Sequence, residues 1–107
     1  MKKLFGRVYT KSAEEYNIKL SKYMDGNVRK FIITANPETF MLTRDDNELM
    51  DIILNEENDV IPDGIAIVKT SKYYGVDVQE RITGIDTTLR MLELANNKKK
   101  TLFLFGG

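Results

Sequence analysis

Lys30-Phe31-Ile32-Ile33-Thr34-Ala35-Asn36-Pro37-Glu38 is the stretch on which the fold turns. Its first half, Lys30 to Thr34, is β-branched and aromatic, the composition of a short buried strand. Within three residues the signal reverses. Asn36 is a favoured N-cap, Pro37 suits the first helical position because its missing N–H would find no partner there, and Glu38 suits the positive end of a helix dipole. A strand therefore runs directly into a helix.

Upstream, Leu4 to Tyr9 reads as a weak strand. Ser12 with Glu15 forms a capping box, and Tyr16, Leu20, Tyr23 and Met24 follow as one apolar stripe of a helix that stops at Asp25-Gly26-Asn27. Downstream, Asp45 and Glu48 can cap a short helix carrying Leu49, Met50, Ile52, Ile53 and Leu54. Asp59-Val60-Ile61 is a second buried strand, closed by Pro62-Asp63-Gly64. Ile65 to Tyr74 reads as helix with Gly75 as its stop, and residues 76–82 as irregular chain. Thr83 then caps a helix predicted to turn Ile85, Leu89, Leu92 and Ala95 inward. Lys98-Lys99-Lys100 lies at its negative end, and Thr101 to Phe105 reads as another strand.

Strands apolar on both faces, alternating with helices, predict an α/β fold: a Rossmann-like, mostly parallel sheet with helices on both faces. Residues 1–107 read as one unit without repeat or linker. A strand followed by Gly106-Gly107 usually leads into a phosphate-facing loop and a helix, so the sheet is expected to be incomplete at the C-terminus.

Composition narrows the chemistry. Lysine plus arginine and aspartate plus glutamate both number 16, giving zero net charge where a nucleic-acid binder normally carries a basic excess. There is no cysteine for a disulfide or thiolate site, and no histidine, the commonest general base. No apolar run approaches the ~20 residues of a membrane span, and the basic start Met1-Lys2-Lys3 is not followed by a signal-peptide core. A cytoplasmic location is the expectation.

Ligands of open α/β sheets bind beyond the carboxyl ends of the strands, which is where Thr34 to Glu38 and Pro62-Asp63-Gly64 fall. With histidine and cysteine absent, Asp63 is the best-placed general base, with Pro62 and Gly64 fixing its direction and leaving room for a substrate. The competing reading is that Asp63 caps the helix near Ile65. Thr34 is either a ligand contact or simply a β-branched strand end. Asn36 is a cap that can also meet a ligand beside the crevice. Arg81 is a guanidinium for phosphate or a solvated charge. The Lys98 to Lys100 run is a favourable helix end or a contact to lipid head groups.

Four segments, taken together, resemble the WecG/TagA/CpsF family of bacterial glycosyltransferases: Thr34-Ala35-Asn36-Pro37-Glu38, Asn55 through Pro62-Asp63-Gly64, Glu80-Arg81-Ile82-Thr83-Gly84-Ile85-Asp86, and Leu102-Phe103-Leu104-Phe105-Gly106-Gly107. The resemblance implies an inverting, metal-independent transfer without cofactor. An N-acetylmannosamine-type sugar would pass from a UDP-sugar donor to an N-acetylglucosamine linked through diphosphate to a polyprenol. It implies work at the inner face of the cell membrane, by peripheral association of a full-length form, for teichoic acid, common antigen or capsule. It matches Asp63 to the catalytic base, Thr34 and Asn36 to polar residues of the pocket, and Arg81 to an arginine meeting diphosphate or acceptor.

The chain departs from the family at Ala66, where a glycine is usual, which narrows the approach by a methyl group. It also departs in length, since members continue beyond the paired glycines with more sheet, a further catalytic glutamine and a membrane-targeting tail. A truncated, inactive module binding the donor or acceptor is the alternative function. Leu102 to Phe105, left without a covering helix, predict marginal stability or self-association.

Overall fold

The computed structural model describes residues 2–26 and 28–103. Among these, six helices surround a pair of parallel strands. The order is α1 (Lys2–Phe5), α2 (Ala13–Asp25), β1 (Ile32–Ala35), α3 (Pro37–Leu42), α4 (Asn47–Leu54), β2 (Asp59–Pro62), α5 (Ile65–Tyr73) and α6 (Gly84–Asn97). The α/β expectation holds, with helices on both faces of a small parallel sheet.

The pairing register runs Ile32 to Asp59, Ile33 to Val60, Thr34 to Ile61 and Ala35 to Pro62. Because side chains alternate along a strand, this register sorts the protein into two cores. Ile33, Ala35 and Val60 pack with Leu4, Phe5, Phe40, Ile53 and Ile67 beneath α1, α3, α4 and α5. On the opposite face, Ile32 and Ile61 pack with Tyr16, Leu20, Ile82, Met91 and Leu94 beneath α2 and α6. Strand β2, flanked on both sides, is buried throughout, whereas Phe31 beside β1 is 63% exposed.

Caps set the helix boundaries as expected at four places and differently at one. Ser12 Oγ accepts from the Glu15 N–H, Asn36 Oδ1 from the Thr39 N–H, and Thr83 Oγ1 from the Asp86 N–H. Gly75, at φ +79°, closes α5: its N–H reaches the Lys72 carbonyl while the Val76 N–H reaches that of Ser71. The cap of α4 is Asp46 rather than Asp45, its carboxylate accepting from the Leu49 N–H.

Three expectations are corrected. Leu4 and Phe5 belong to a helical turn, and of the predicted Leu4 to Tyr9 strand only an isolated parallel bridge from Val8 to Val60 forms. The reason is local: the Lys2 carbonyl accepts from Gly6 and the Leu4 carbonyl from Arg7, closing the backbone on itself before it can pair. Second, α6 buries Thr87, Leu94 and Ala95, with Met91 packed beside them, and leaves Ile85 75% and Leu89 58% exposed. The helix carries two apolar stripes, and α2 covers only one. Third, Thr101, Leu102 and Phe103 do not form a strand; the rest of that predicted strand, Leu104 and Phe105, lies outside the described residues, as do Gly106 and Gly107.

Candidate active site

Two parallel strands deliver their carboxyl ends side by side. Thr34 is the penultimate residue of β1, and Asp63 follows the last residue of β2, its N–H donating to the Ala35 carbonyl at 2.9 Å. By strand alternation both side chains belong to the α2/α6 face. The chain from α5 returns across this end: the Gln79 N–H donates to the Thr10 carbonyl and the Ile82 N–H to the Pro62 carbonyl at 2.8 Å. The Glu80 carboxylate accepts from the Ala13 N–H at the start of α2. These bonds fix Thr83 and Gly84, and so the first turn of α6, over the strand ends.

Thr34, Asp63, Gly84, Ile85, Thr88 and Leu89 line one hollow of about 380 Å³. A second, of about 270 Å³, shares Thr34, Gly84 and Thr88 and continues along the edge of β1 away from β2, past Lys30, Phe31 and Ile32. The site is a groove with two polar groups at its floor and the uncovered stripe of α6 as its wall. A larger hollow of about 720 Å³ lies at the opposite, amino end of the strands, lined by Arg29, Lys30, Asp51, Asn55 and Glu57 among others. Size favours that one, but the sheet geometry that gathers ligands lies at the carboxyl ends.

Asp63 is not a helix cap. The N-cap of α5 is Gly64, and no side chain bonds there. Among the described residues no hydrogen bond or ion pair engages the Asp63 carboxylate, which leaves it free to accept a proton from a bound hydroxyl. Gly64 stands at φ +111°, a region that a Cβ makes costly, so it turns the chain sharply from β2 into α5 and leaves open space where a side chain would stand.

The other candidate residues separate. Asn36 Oδ1 is committed to the Thr39 N–H at 2.8 Å and the Thr39 hydroxyl at 3.0 Å. It caps α3 just past the end of β1 and does not line the groove. Arg81 is exposed and lines a neighbouring hollow of about 360 Å³ between α2 and α6, together with Asn17, Asp86, Arg90 and Glu93. Only Leu89 is common to that hollow and the one holding Asp63. The lysine run closes α6: Lys98 pairs with Asp25, Lys99 takes φ +54°, and the Lys100 N–H returns to the Ala95 carbonyl.

Two parts of the site escaped the residue patterns. One is Gly84, where an added Cβ would stand 2.8 Å from Thr34 Cγ2 and 3.8 Å from Asp63 Oδ2. A glycine placed directly after a capping threonine, where better helix formers are usual, was the available signal. The other is the outward stripe of Ile85 and Leu89, hidden because both stripes of α6 are apolar.

The groove thus lies where the ligands of open α/β sheets gather, and the sequence as a whole shows which family of such proteins this is. Residues 3–107 match the Glycosyl transferase WecG/TagA/CpsF family, and the chain belongs to it. It is 38% identical over 84 residues to the N-acetylglucosaminyldiphosphoundecaprenol N-acetyl-beta-D-mannosaminyltransferase of Bacillus spizizenii strain W23, across 78% of this chain and 32% of that protein. The Bacillus subtilis strain 168 protein of the same name is 37% identical over 84 residues, with the same shares, 78% and 32%. The chain spans about a third of the length of these curated relatives. No solved structure matches it. Among the described residues no helix is long and apolar enough to cross a membrane.

Proposed function

We propose that this chain carries the acceptor-activating half of a glycosyltransferase that moves N-acetylmannosamine, or a related sugar, from a UDP-sugar to a polyprenyl-diphosphate-linked N-acetylglucosamine. Asp63 takes the proton of the acceptor hydroxyl as its oxygen bonds to the anomeric carbon of the donor. The bond from that carbon to UDP breaks on the opposite side, which inverts the configuration. Thr34 holds a reacting oxygen beside Asp63, and Gly64 keeps the approach open. Asn36, through its amide nitrogen, and Arg81 contact the anionic parts of the substrates from the rims. Work on a lipid-linked acceptor puts a full-length form peripherally at the inner face of the membrane, and self-association is proposed for the 107-residue chain, whose Leu102 and Phe103 are exposed.

One observation carries this reading: in a member of this family, a carboxylate with no hydrogen-bond or ion-pair partner among the described residues stands beside Thr34 at the carboxyl ends of adjacent parallel strands. The test is a transfer assay with UDP-N-acetylmannosamine and a lipid-diphosphate N-acetylglucosamine acceptor, run on the full-length protein. Formation of the disaccharide lipid with release of UDP is expected. Saturable UDP binding without product would favour the alternative, a binding module that does not turn over.

A further inference from the structure

From the packing of α6 on the strand ends, we infer that Gly84 is a positioning residue: the absence of a side chain there holds the Thr34 hydroxyl and the Asp63 carboxylate in one groove. This rests on the function proposed above and adds to it a residue that acts through Thr34.

A Cβ at position 84 would approach Thr34 Cγ2 to 2.8 Å and Thr34 Cβ to 3.7 Å. The first distance is closer than carbon atoms tolerate, and the second is ordinary contact. Thr34 cannot yield cheaply. Its side chain is β-branched and stiff about χ1, and its backbone is held in β1 against Ile61. Any rotation that withdraws the methyl group also swings the hydroxyl to a new direction. Nor can α6 simply retreat, because the Ile82 N–H is bonded to the Pro62 carbonyl and Glu80 to the start of α2, just ahead of the helix. The third neighbour of the missing Cβ is Asp63 Oδ2 at 3.8 Å, so the same vacancy borders both polar groups. Helix propensity runs the other way, since alanine is a better helix former than glycine. A glycine kept here for close approach therefore predicts that alanine will harm the site while favouring the helix.

The single clashing atom gives a specific test. Thr34→Ser removes Cγ2 and keeps the hydroxyl. Four full-length proteins are compared, the parent, Gly84→Ala, Thr34→Ser and the double variant, measuring kcat and KM for both substrates with folding checked by circular dichroism. Gly84→Ala should lower kcat by about 10–100-fold in the parent, as misplacement of a reacting group does, with KM changed far less. In the Thr34→Ser background the same substitution should change kcat by less than about threefold, because the obstructed atom is gone. An equal penalty in both backgrounds, or none in either, overturns the inference. If the parent forms no product, the proposed function fails first. The contact is then read from melting temperatures: Gly84→Ala should lower that of the parent and leave or raise that of Thr34→Ser, and equal shifts would overturn the contact too.

Discussion

Asp59 and Asp63 stand at opposite ends of the same strand segment, four residues apart, and the protein treats them in opposite ways. Asp59 is 7% exposed, and its carboxylate accepts from the Tyr16 hydroxyl at 3.0 Å and the Tyr23 hydroxyl at 2.8 Å. Lys30 lies 3.4 Å from its other oxygen and Lys19 3.9 Å. That is the saturation a buried carboxylate requires, and it ties α2 to the sheet. Asp63 has no such partners among the described residues and opens on a groove. The pair shows that residue type and strand position do not distinguish a carboxylate saturated by its own fold from one that faces a groove. What distinguishes them is where their hydrogen bonds go.

The largest expected effect breaks this comparison at Asp63. Asp63→Asn in the full-length protein should cut turnover by roughly 10²–10⁴ through loss of the general base, with the melting temperature unmoved. Near-parent turnover would remove Asp63 from the mechanism. The mirror experiment is Asp59→Ala, which strands the buried Tyr16 hydroxyl and should cost about 3 kcal/mol in urea unfolding. Transfer per folded molecule should stay at the parent rate. A variant at Asp59 that kept its stability and lost catalysis would reverse the two assignments.

Alkaline pH sharpens the Asp59 end. Burial, and then the neighbouring Asp59 charge and hydrogen bond, push the Tyr16 hydroxyl far above the ordinary tyrosine range. Tyr23 is raised by the same causes. The folded protein therefore keeps these protons when the unfolded chain has begun to lose them. Their contribution is complete below about pH 10 and declines as pH rises beyond it, toward the folded-state values. Urea midpoints should fall above about pH 10, and Tyr16→Phe should flatten that fall. A midpoint independent of pH to about 11.5 would show that the cluster is loose.

How much of this was legible beforehand follows from the range of the forces involved. Ser12, Asn36-Pro37 and Thr83 act within one turn of their own helix, so the local sequence suffices to place them. The outward turn of Ile85 and Leu89 depends on which stripe of α6 meets α2, a contact between residues about seventy positions apart, and periodicity cannot choose between two apolar stripes. The Leu4 to Tyr9 segment failed for a different reason: its apolar pattern fits strand or helical turn, and the local bonds from Gly6 to Lys2 and from Arg7 to Leu4 closed the turn. At the site, Thr34 and Asp63 were legible because parallel strands bring equivalent ends together. Gly84 was not, since its significance is a distance to Thr34. The separation of Arg81 from Asp63 depends on the path of residues 76–82, held by three long-range bonds that no motif announces.

Gly64 sets the direction in which Asp63 leaves β2, and its φ of +111° is the basis for a smaller effect. Gly64→Ala meets no atom within 4 Å, so any destabilisation comes from the backbone alone. It should amount to about 1–3 kcal/mol by chemical unfolding. A neutral substitution would mean that the turn relaxes readily and does not aim the carboxylate.

The smallest effect separates two duties within one side chain. Asn36 caps α3 through Oδ1, while among the described residues nothing receives a hydrogen bond from its Nδ2, which remains available beside the carboxyl end of β1. Asn36→Ala removes both halves and should cost about 1 kcal/mol, the usual worth of an N-cap. Asn36→Asp is the informative variant. Aspartate caps as well as asparagine, so stability should stay within a few tenths of a kcal/mol of the parent. The substitution exchanges a donor for a negative charge at the rim where a diphosphate would arrive. If the amide nitrogen meets the substrate, KM for the UDP-sugar should rise about five- to tenfold at low salt and recover partly as salt screens the new charge. Parent kinetics in a stable Asn36→Asp protein would make Asn36 a cap and nothing more. The carboxyl-end site would then narrow to the groups that border the missing Cβ of Gly84.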